Sequence, residues 1–208
     1  MTCEPGNNCF RNAFPLATLV LVDMRKANLL STQGLTHAEM AGILTNCRGA
    51  LAYARKMGFP IAFVRGAGDS RATNQSNEWI KGFEPQRLDA IFDRRGASCY
   101  SSPYFADGMR ETGGAVVLAG FLGRGGCLST GADALLAGNH ITFLSDATKD
   151  DVSDRALNES AIGLLRAFTS FDIRVLSTGA WIRSVEEFPI SIEEPVRRGD
   201  ASSSRITR

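Results

Sequence analysis

The 208-residue chain has only two histidines, His37 and His140. Neither stands at metal-ligand spacing from a Cys, Asp or Glu, so no zinc site is expected and each imidazole is assigned a structural or surface role. Net charge is nearly absent as well: 23 basic residues meet 22 acidic ones. With no Lys/Arg stripe interleaved with aromatics, the footprint of a nucleic-acid binder is missing, and a small molecule is the expected partner. No segment approaches the roughly 20 apolar residues that span a bilayer. The N-terminal MTCEPGNNCFRNAF carries Pro and Gly where a secretory signal needs an apolar core, so a soluble, cytoplasmic protein without a membrane partner is expected. The five cysteines, Cys3, Cys9, Cys47, Cys99 and Cys127, are odd in number and irregularly spaced, which argues for reduced thiols rather than a disulfide framework. A serine-hydrolase G-x-S-x-G elbow with Asp and His partners is not found either.

What is present is an alternation of strand and helix patterns. LATLVLVD (16–23) is an apolar run of the kind buried on both faces of a parallel sheet, and it ends in Asp23. Thr36 and Glu39 have capping-box spacing ahead of a helical face made of Met40, Ile43, Leu44, Cys47, Leu51 and Ala54, closed by Gly58. FPIAFVRG (59–66) reads as a second strand and AGDSRATNQSN (67–77) as a long loop. A short strand at Leu88 to Asp93, a helix around Pro103 to Arg110 and the strand AVVLAG (115–120) follow. Leu128, Ala132, Leu135 and Leu136 then share a helical face. HITFLSD (140–146) is the next strand. Ser153 is placed to cap a helix with the apolar face Leu157, Ala161, Leu164, Leu165 and Phe168, and DIRVLST (172–178) is the last strand. The pattern predicts one three-layer α/β/α domain over 15–192, with a polar leader at 1–14 and a disordered tail at 193–208.

In such sheets ligands sit beyond the carboxyl ends of the strands, where strand order reverses. Asp23, Asp93 with Arg94, and the Gly120 to Cys127 turn in AGFLGRGGCLSTG (119–131) all fall at predicted strand ends. Three readings of that turn compete. As a phosphate cradle it spaces its glycines wrongly, G-x-x-G-x-G-G instead of G-x-G-x-x-G, so no nucleotide cofactor is expected. As a seat for a reactive thiol it puts Cys127 in a helix's first turn, where the positive end of the helix dipole and unpaired N–H groups favour thiolate and can hold an oxyanion. As a mere corner it leaves Cys127 a small buried apolar residue.

The sequence resembles the isochorismatase-like hydrolase superfamily. LVLVDM, DRRGASCYSS, VVLAGFLGRGGCLSTGADALLAG, ITFLSDAT and IRVLSTGAW carry the resemblance in order, over about Leu16 to Trp181. It implies a Rossmann-like parallel sheet of about six strands ordered 3-2-1-4-5-6, and a homodimer or homotetramer. In cysteine members of the family an Asp takes the thiol proton, a Lys holds charge nearby, and the Cys attacks an amide carbonyl. Carried over, these roles fall on Asp23, on Arg94 (or its neighbour Arg95) in place of Lys, and on Cys127. Backbone N–H groups of Leu122, Gly123 and Gly126 would make the oxyanion site, with no metal or cofactor. A non-proline cis peptide near Phe121 and Leu122 is also implied.

The family spacing counts from Gly120 and from Asp133 both land on Gly126, one residue before Cys127, so a second mechanism stays open: cleavage of a vinyl ether, as in the isochorismatases proper, with Asp23 as acid and no thiol nucleophile. A scaffold that binds a ligand without turnover is the third possibility. Arg65, Arg71 and Gln75 are available polar groups after the second strand. Among the aromatics Trp79, Tyr100, Tyr104 and Trp181, Trp79 and Tyr100 are taken with Arg65 as pocket candidates.

Overall fold

The computed structural model describes residues 17–31, 35–67, 78–122, 125–149 and 173–187. The leader, the tail, the helix expected from Ser153 to Phe168, and Arg71, Gln75 and Gly123 lie outside the described residues. Six strands form one all-parallel sheet: β1 (Thr18–Val22), β2 (Ile61–Gly66), β3 (Ala90–Arg94), β4 (Ala115–Phe121), β5 (His140–Lys149) and β6 (Ile173–Leu176). Their spatial order is β3-β2-β1-β4-β5-β6, the expected one. The described helices are α1 (Lys26–Ser31), α2 (His37–Lys56), α3 (Pro103–Glu111), α4 (Gly126–Leu136) and α5 (Thr178–Glu187).

The strands alternate between two cores, because successive side chains leave opposite faces of a pleated strand. Leu19, Leu21, Phe63, Val117 and Ala119 face Cys47, Leu51 and Ala54 of α2 and Trp181 of α5. Val20, Val22, Ala62, Val64, Val116 and Leu118 face Phe105 and Met109 of α3 and Cys127 and Ala134 of α4. The three-layer sandwich follows from this period-two division. Helix α2 starts as its sequence predicts: the Thr36 hydroxyl accepts the Glu39 N–H at 3.2 Å, and the Glu39 carboxylate accepts the Thr36 N–H at 2.9 Å. Met40, Ile43 and Leu44 pack on the first core beside the buried Cys47, Leu51 and Ala54.

Three expectations are corrected. Strand β5 does not stop at Asp146 but runs to Lys149, because β4 supplies backbone partners that far, pairing Gly120 with Thr148 and Phe121 with Lys149 after a register shift. Asp146 instead holds the start of α5, its Oδ1 accepting the Thr178 N–H at 2.7 Å and the Thr178 hydroxyl at 2.8 Å. The face expected of helix α4 is corrected in part: Gly126, Cys127, Thr130, Gly131 and Ala134 are its buried residues, and of the expected face Leu135 packs on the second core, while Leu136 is 86% exposed and Leu128 and Ala132 face outward. The small residues let the helix lie close on the sheet, and of the expected apolar face Leu135 alone reaches the core. Finally, no cis peptide occurs among the described residues. The Leu122 N–H continues the parallel ladder to the Lys149 carbonyl at 2.9 Å, so the chain passes Phe121 and Leu122 as an ordinary strand end.

Candidate active site

Strand order reverses between β1 and β4, and the candidate residues gather at their carboxyl ends. Val22 and Gly120 stand in register there. Asp23, the residue after β1, has φ 52°, the sole described non-glycine residue with positive φ. Aspartate tolerates this left-handed region better than most residues, and such outliers concentrate at functional sites. Here the kink is held from both sides. The Asp23 N–H donates to the Val64 carbonyl at 2.7 Å, and its own carbonyl accepts the Arg25 N–H at 2.8 Å and the Asn28 side-chain amide at 2.8 Å.

The Asp23 carboxylate is buried, with its side chain 11% exposed. Oδ1 accepts the Gly66 N–H at 2.8 Å and faces Arg25 Nη2 at 3.5 Å. Oδ2 accepts Arg94 Nη2 at 2.6 Å. Arg94 ends β3, and the same Nη2 donates to the Leu122 carbonyl at 2.7 Å, while Nη1 donates to the carbonyls of Gly96 and Ala97. One guanidinium thus ties together the tip of β1, the turn after β4 and the loop after β3, a task suited to a rigid fork of donors. Its Nε is buried without a hydrogen-bond partner among the described residues. The neighbouring Arg95 is exposed, so Arg94 is the arginine brought to Asp23.

Cys127 is the second residue of α4, 2% exposed and packed in the second core with Val20, Val22 and Leu122. Gly126, the first residue of α4, is buried, and Gly125 before it takes φ 71°. Of the expected oxyanion donors, the Leu122 N–H is already given to Lys149. The other described cysteines lie in poor surroundings for a thiolate. Burial, with the Asp146 charge adding to it, pushes the Cys47 thiol up to about 12, and burial pushes Cys99 up to about 11.

The pocket candidates separate. Arg65 is held by Asp93 at 2.6 Å, its partner in register on β3, and that hydrogen bond holds the Asp93 carboxyl below its ordinary range. Trp79 forms an antiparallel bridge with Arg25 and stands edge-on to Phe63 at 5.3 Å, which puts its backbone beside the site and its ring against the first core. Tyr100 points away. Its hydroxyl accepts the Asn139 side-chain amide at 2.8 Å, and Asn139 precedes the amino end of β5, the opposite edge of a parallel sheet from Asp23. Burial pushes that phenol up to about 12. Sequence reasoning missed Arg25 and the Gly66 N–H. The RKAN that follows Asp23 was the available signal, but only the backward kink at Asp23 folds Arg25 onto the carboxylate. Among the described residues no three His, Cys, Asp or Glu side chains cluster as metal ligands, and no helix is long and apolar enough to cross a membrane.

Solved structures share this fold. A cysteine hydrolase from Pseudomonas syringae pv. phaseolicola 1448A superposes with a TM-score of 0.65 at 19% identity, over 84% of this chain and 95% of that one. An isochorismatase from Pseudomonas putida KT2440 gives 0.65 at 20%, over 79% and 89%. N-carbamoylsarcosine amidase from Thermoplasma acidophilum gives 0.61 at 20%, over 78% and 96%. No curated protein matches the chain. The isochorismatase domain model matches residues 17–179, and with most of its length so covered the chain belongs to the isochorismatase-like hydrolase family.

Proposed function

We propose that the protein hydrolyses a C–N bond of a small polar amide through Cys127, with Asp23 as proton acceptor and Arg94 as the fixed cation. The observation that carries this reading is the Arg94 bridge: a single Nη2 holds both the Asp23 carboxylate and the Leu122 carbonyl, coupling the acid to the turn that leads into the helix bearing Cys127. An ionised carboxylate offers about four acceptor positions, more than the three described contacts to Gly66, Arg25 and Arg94 occupy. Asp23 therefore keeps room for the thiol proton.

In the reaction, Cys127 Sγ gives its proton to Asp23 and its electron pair to the carbonyl carbon, forming a C–S bond. The oxyanion develops at the N-terminus of α4, whose dipole favours negative charge. The C–N bond breaks, and the departing nitrogen takes the proton from Asp23. Water then adds to the thioester, Asp23 accepts its proton, and the proton returns to the thiolate as the acid leaves.

A second reading has a specific observation in its favour. Cys127 is 2% exposed among Val20, Val22 and Leu122, a setting that suits a packing residue, with buried Gly126 leaving space for a vinyl ether that Asp23 protonates. The two are separated by assaying C127A and D23N on a panel of small amides and on isochorismate. Covalent hydrolysis predicts that C127A lowers amide turnover by about a thousandfold or more, and that an acyl adduct appears by intact mass in the wild type. Amide turnover unchanged in C127A ends that mechanism; isochorismate cleavage lost in D23N but kept in C127A establishes the other. A wild type that hydrolyses neither favours the third possibility, a scaffold that binds a ligand without turnover.

A further inference from the structure

Resting on the amide-hydrolase reading, we propose that Thr130 is a positioning residue: its hydroxyl clasps Cys99 and so fixes helix α4, with Cys127, against the loop that holds Arg94 on Asp23. Thr130 is fully buried in α4, three residues after Cys127. Its Oγ1 accepts the Cys99 N–H at 3.1 Å. Cys99 opens the single 3-10 turn Cys99–Ser101 in the loop after β3, and the same loop supplies the Gly96 and Ala97 carbonyls that take Arg94 Nη1. That loop is closed on itself. The Ser101 hydroxyl accepts the Gly96 N–H at 2.9 Å and donates to the Ser98 carbonyl at 2.7 Å, while Ser98 Oγ accepts the Tyr100 N–H at 3.1 Å. A displacement at Cys99 is therefore passed to Gly96 and Ala97, and from them to the guanidinium whose Nη2 lies 2.6 Å from Asp23 Oδ2. The Cys99 thiol feels both neighbours: burial pushes it up, while the Arg94 charge and a hydrogen bond with the Thr130 side chain pull it back.

The bond matters because packing alone sets the position of α4 along the sheet weakly. The helix buries Cys127, Gly131 and Ala134, and of its leucines only Leu135 packs on the second core. Small side chains make few contacts each, so they offer little resistance to a slide. The other tie to Arg94 on this side is the Leu122 carbonyl, 2.7 Å from Nη2. Gly125 and Gly126 lie between that anchor and Cys127, and glycine restrains the backbone little. A hydrogen bond between buried groups is directional and costly to leave unmade. Placed less than one helical turn from Cys127, it moves the thiol wherever it moves the hydroxyl. Asp23, Arg94, the loop from Gly96 to Cys99, Thr130 and Cys127 thus form a closed ring, and the Thr130 clasp sets the gap that the thiol proton must cross to reach Asp23.

The test compares T130V, which keeps the side-chain shape and removes the acceptor, with T130S, which restores it, and with T18V as control. Thr18 is also a buried threonine whose hydroxyl is bonded, to the Thr112 hydroxyl at 3.0 Å, but it opens β1 at the edge of the sheet opposite Asp23. On an amide that wild type hydrolyses, T130V should lose about tenfold or more in kcat with KM held within about twofold, the mark of misplaced reacting groups. T130S should recover most of the loss, and T18V should leave kcat and KM within about twofold of wild type. T130V with the kcat of wild type overturns the proposal, as does T18V losing as much as T130V. Amide exchange followed by NMR reads the clasp without turnover. In T130V it should speed up by about tenfold or more at Cys99 and at Gly66, whose N–H is held by Asp23 Oδ1, and in T18V at neither. Exchange at Gly66 unchanged in T130V overturns the proposal whatever the turnover. So does a wild-type Cys99 amide that exchanges as fast as an exposed one, even if T130V fails to fold. Failure of the hydrolase reading looks different: wild type hydrolyses no amide, while exchange at Cys99 and Gly66 still answers to T130V and upholds the clasp.

Discussion

Replacing Gly120 with alanine puts the strand-tip geometry under direct test. Gly120 lies opposite Val22 in the β1–β4 ladder and takes φ 111°. A Cβ there would stand 2.3 Å from the Val22 carbonyl oxygen and 2.8 Å from its nitrogen, and the first contact is about 1 Å short of ordinary van der Waals separation. Both atoms belong to the backbone of a central strand, so no side chain can swing aside. The unfavourable φ costs about 1–3 kcal/mol, and parting the strands weakens neighbouring ladder bonds worth about 1 kcal/mol each. Together these make a loss of roughly 3–5 kcal/mol, a large fraction of the 5–15 kcal/mol that typically holds a domain folded. The consequence for function is as direct. Val22 precedes Asp23 and Gly120 lies two residues before Leu122, so the variant moves the acid relative to the turn, and about 1 Å of misplacement is enough to lose roughly a hundredfold in rate. Urea unfolding gives the first quantity and kcat/KM on the turned-over substrate gives the second. G125A is the control: its φ of 71° is unfavourable but its Cβ meets nothing within 4 Å, so it should lose only about 1 kcal/mol. If G120A unfolds within 1 kcal/mol of wild type and keeps its kcat/KM, the close approach of β1 and β4 does not position the site.

Alkaline pH should destabilise the fold from pH 9 upward. In the unfolded chain thiols ionise near 9, whereas Cys47 and Cys99 are pushed to about 12 and about 11. Their contribution is therefore complete below pH 9 and is lost as pH rises through the folded values, on the order of 1 kcal/mol per pH unit per thiol; a urea midpoint that stays flat from pH 7 to pH 10.5 contradicts it. The same burial predicts that Cys47 and Cys99 resist iodoacetamide at pH 8 until denaturant is added, as peptide mass mapping would show. In α2, Gly42 and Gly49 are exposed, and an added Cβ at either meets nothing within 4 Å. G42A and G49A should each raise stability by about 0.5–1 kcal/mol through helix propensity and a less flexible unfolded chain, and a drop in Tm for both would show that α2 depends on contacts beyond its own backbone.

The layered fold was readable because it rests on local patterns. A nearly unbroken, Val- and Leu-rich run as short as LATLVLV reads as a strand covered on both sides, and the Thr36–Glu39 box marks a helix start from its own spacing. Asp23 was readable for a related reason, since a carboxylate ending such a run must find partners or lose its charge. Helix α4 shows where pattern fails. Its leucines have helical periodicity, but the space against the sheet admits Cys127, Gly131 and Ala134, with Leu135 alone of the leucines packed on that core, and periodicity alone does not reveal which stripe fits.

Residue order along the chain thus dictated which segments become strands and helices, the all-parallel sheet, and an acid, a cation and a cysteine at the strand ends. Which arginine grips the acid, the second cation at Arg25, the use of the Leu122 N–H by Lys149, and the removal of Tyr100 to the far edge of the sheet were settled by packing. The grip of Arg94 on Asp23 joins residues 71 positions apart, and the bond that holds Tyr100 to Asn139 joins residues 39 apart. Such contacts exist only once the sheet has closed the distances, so no local pattern encodes them.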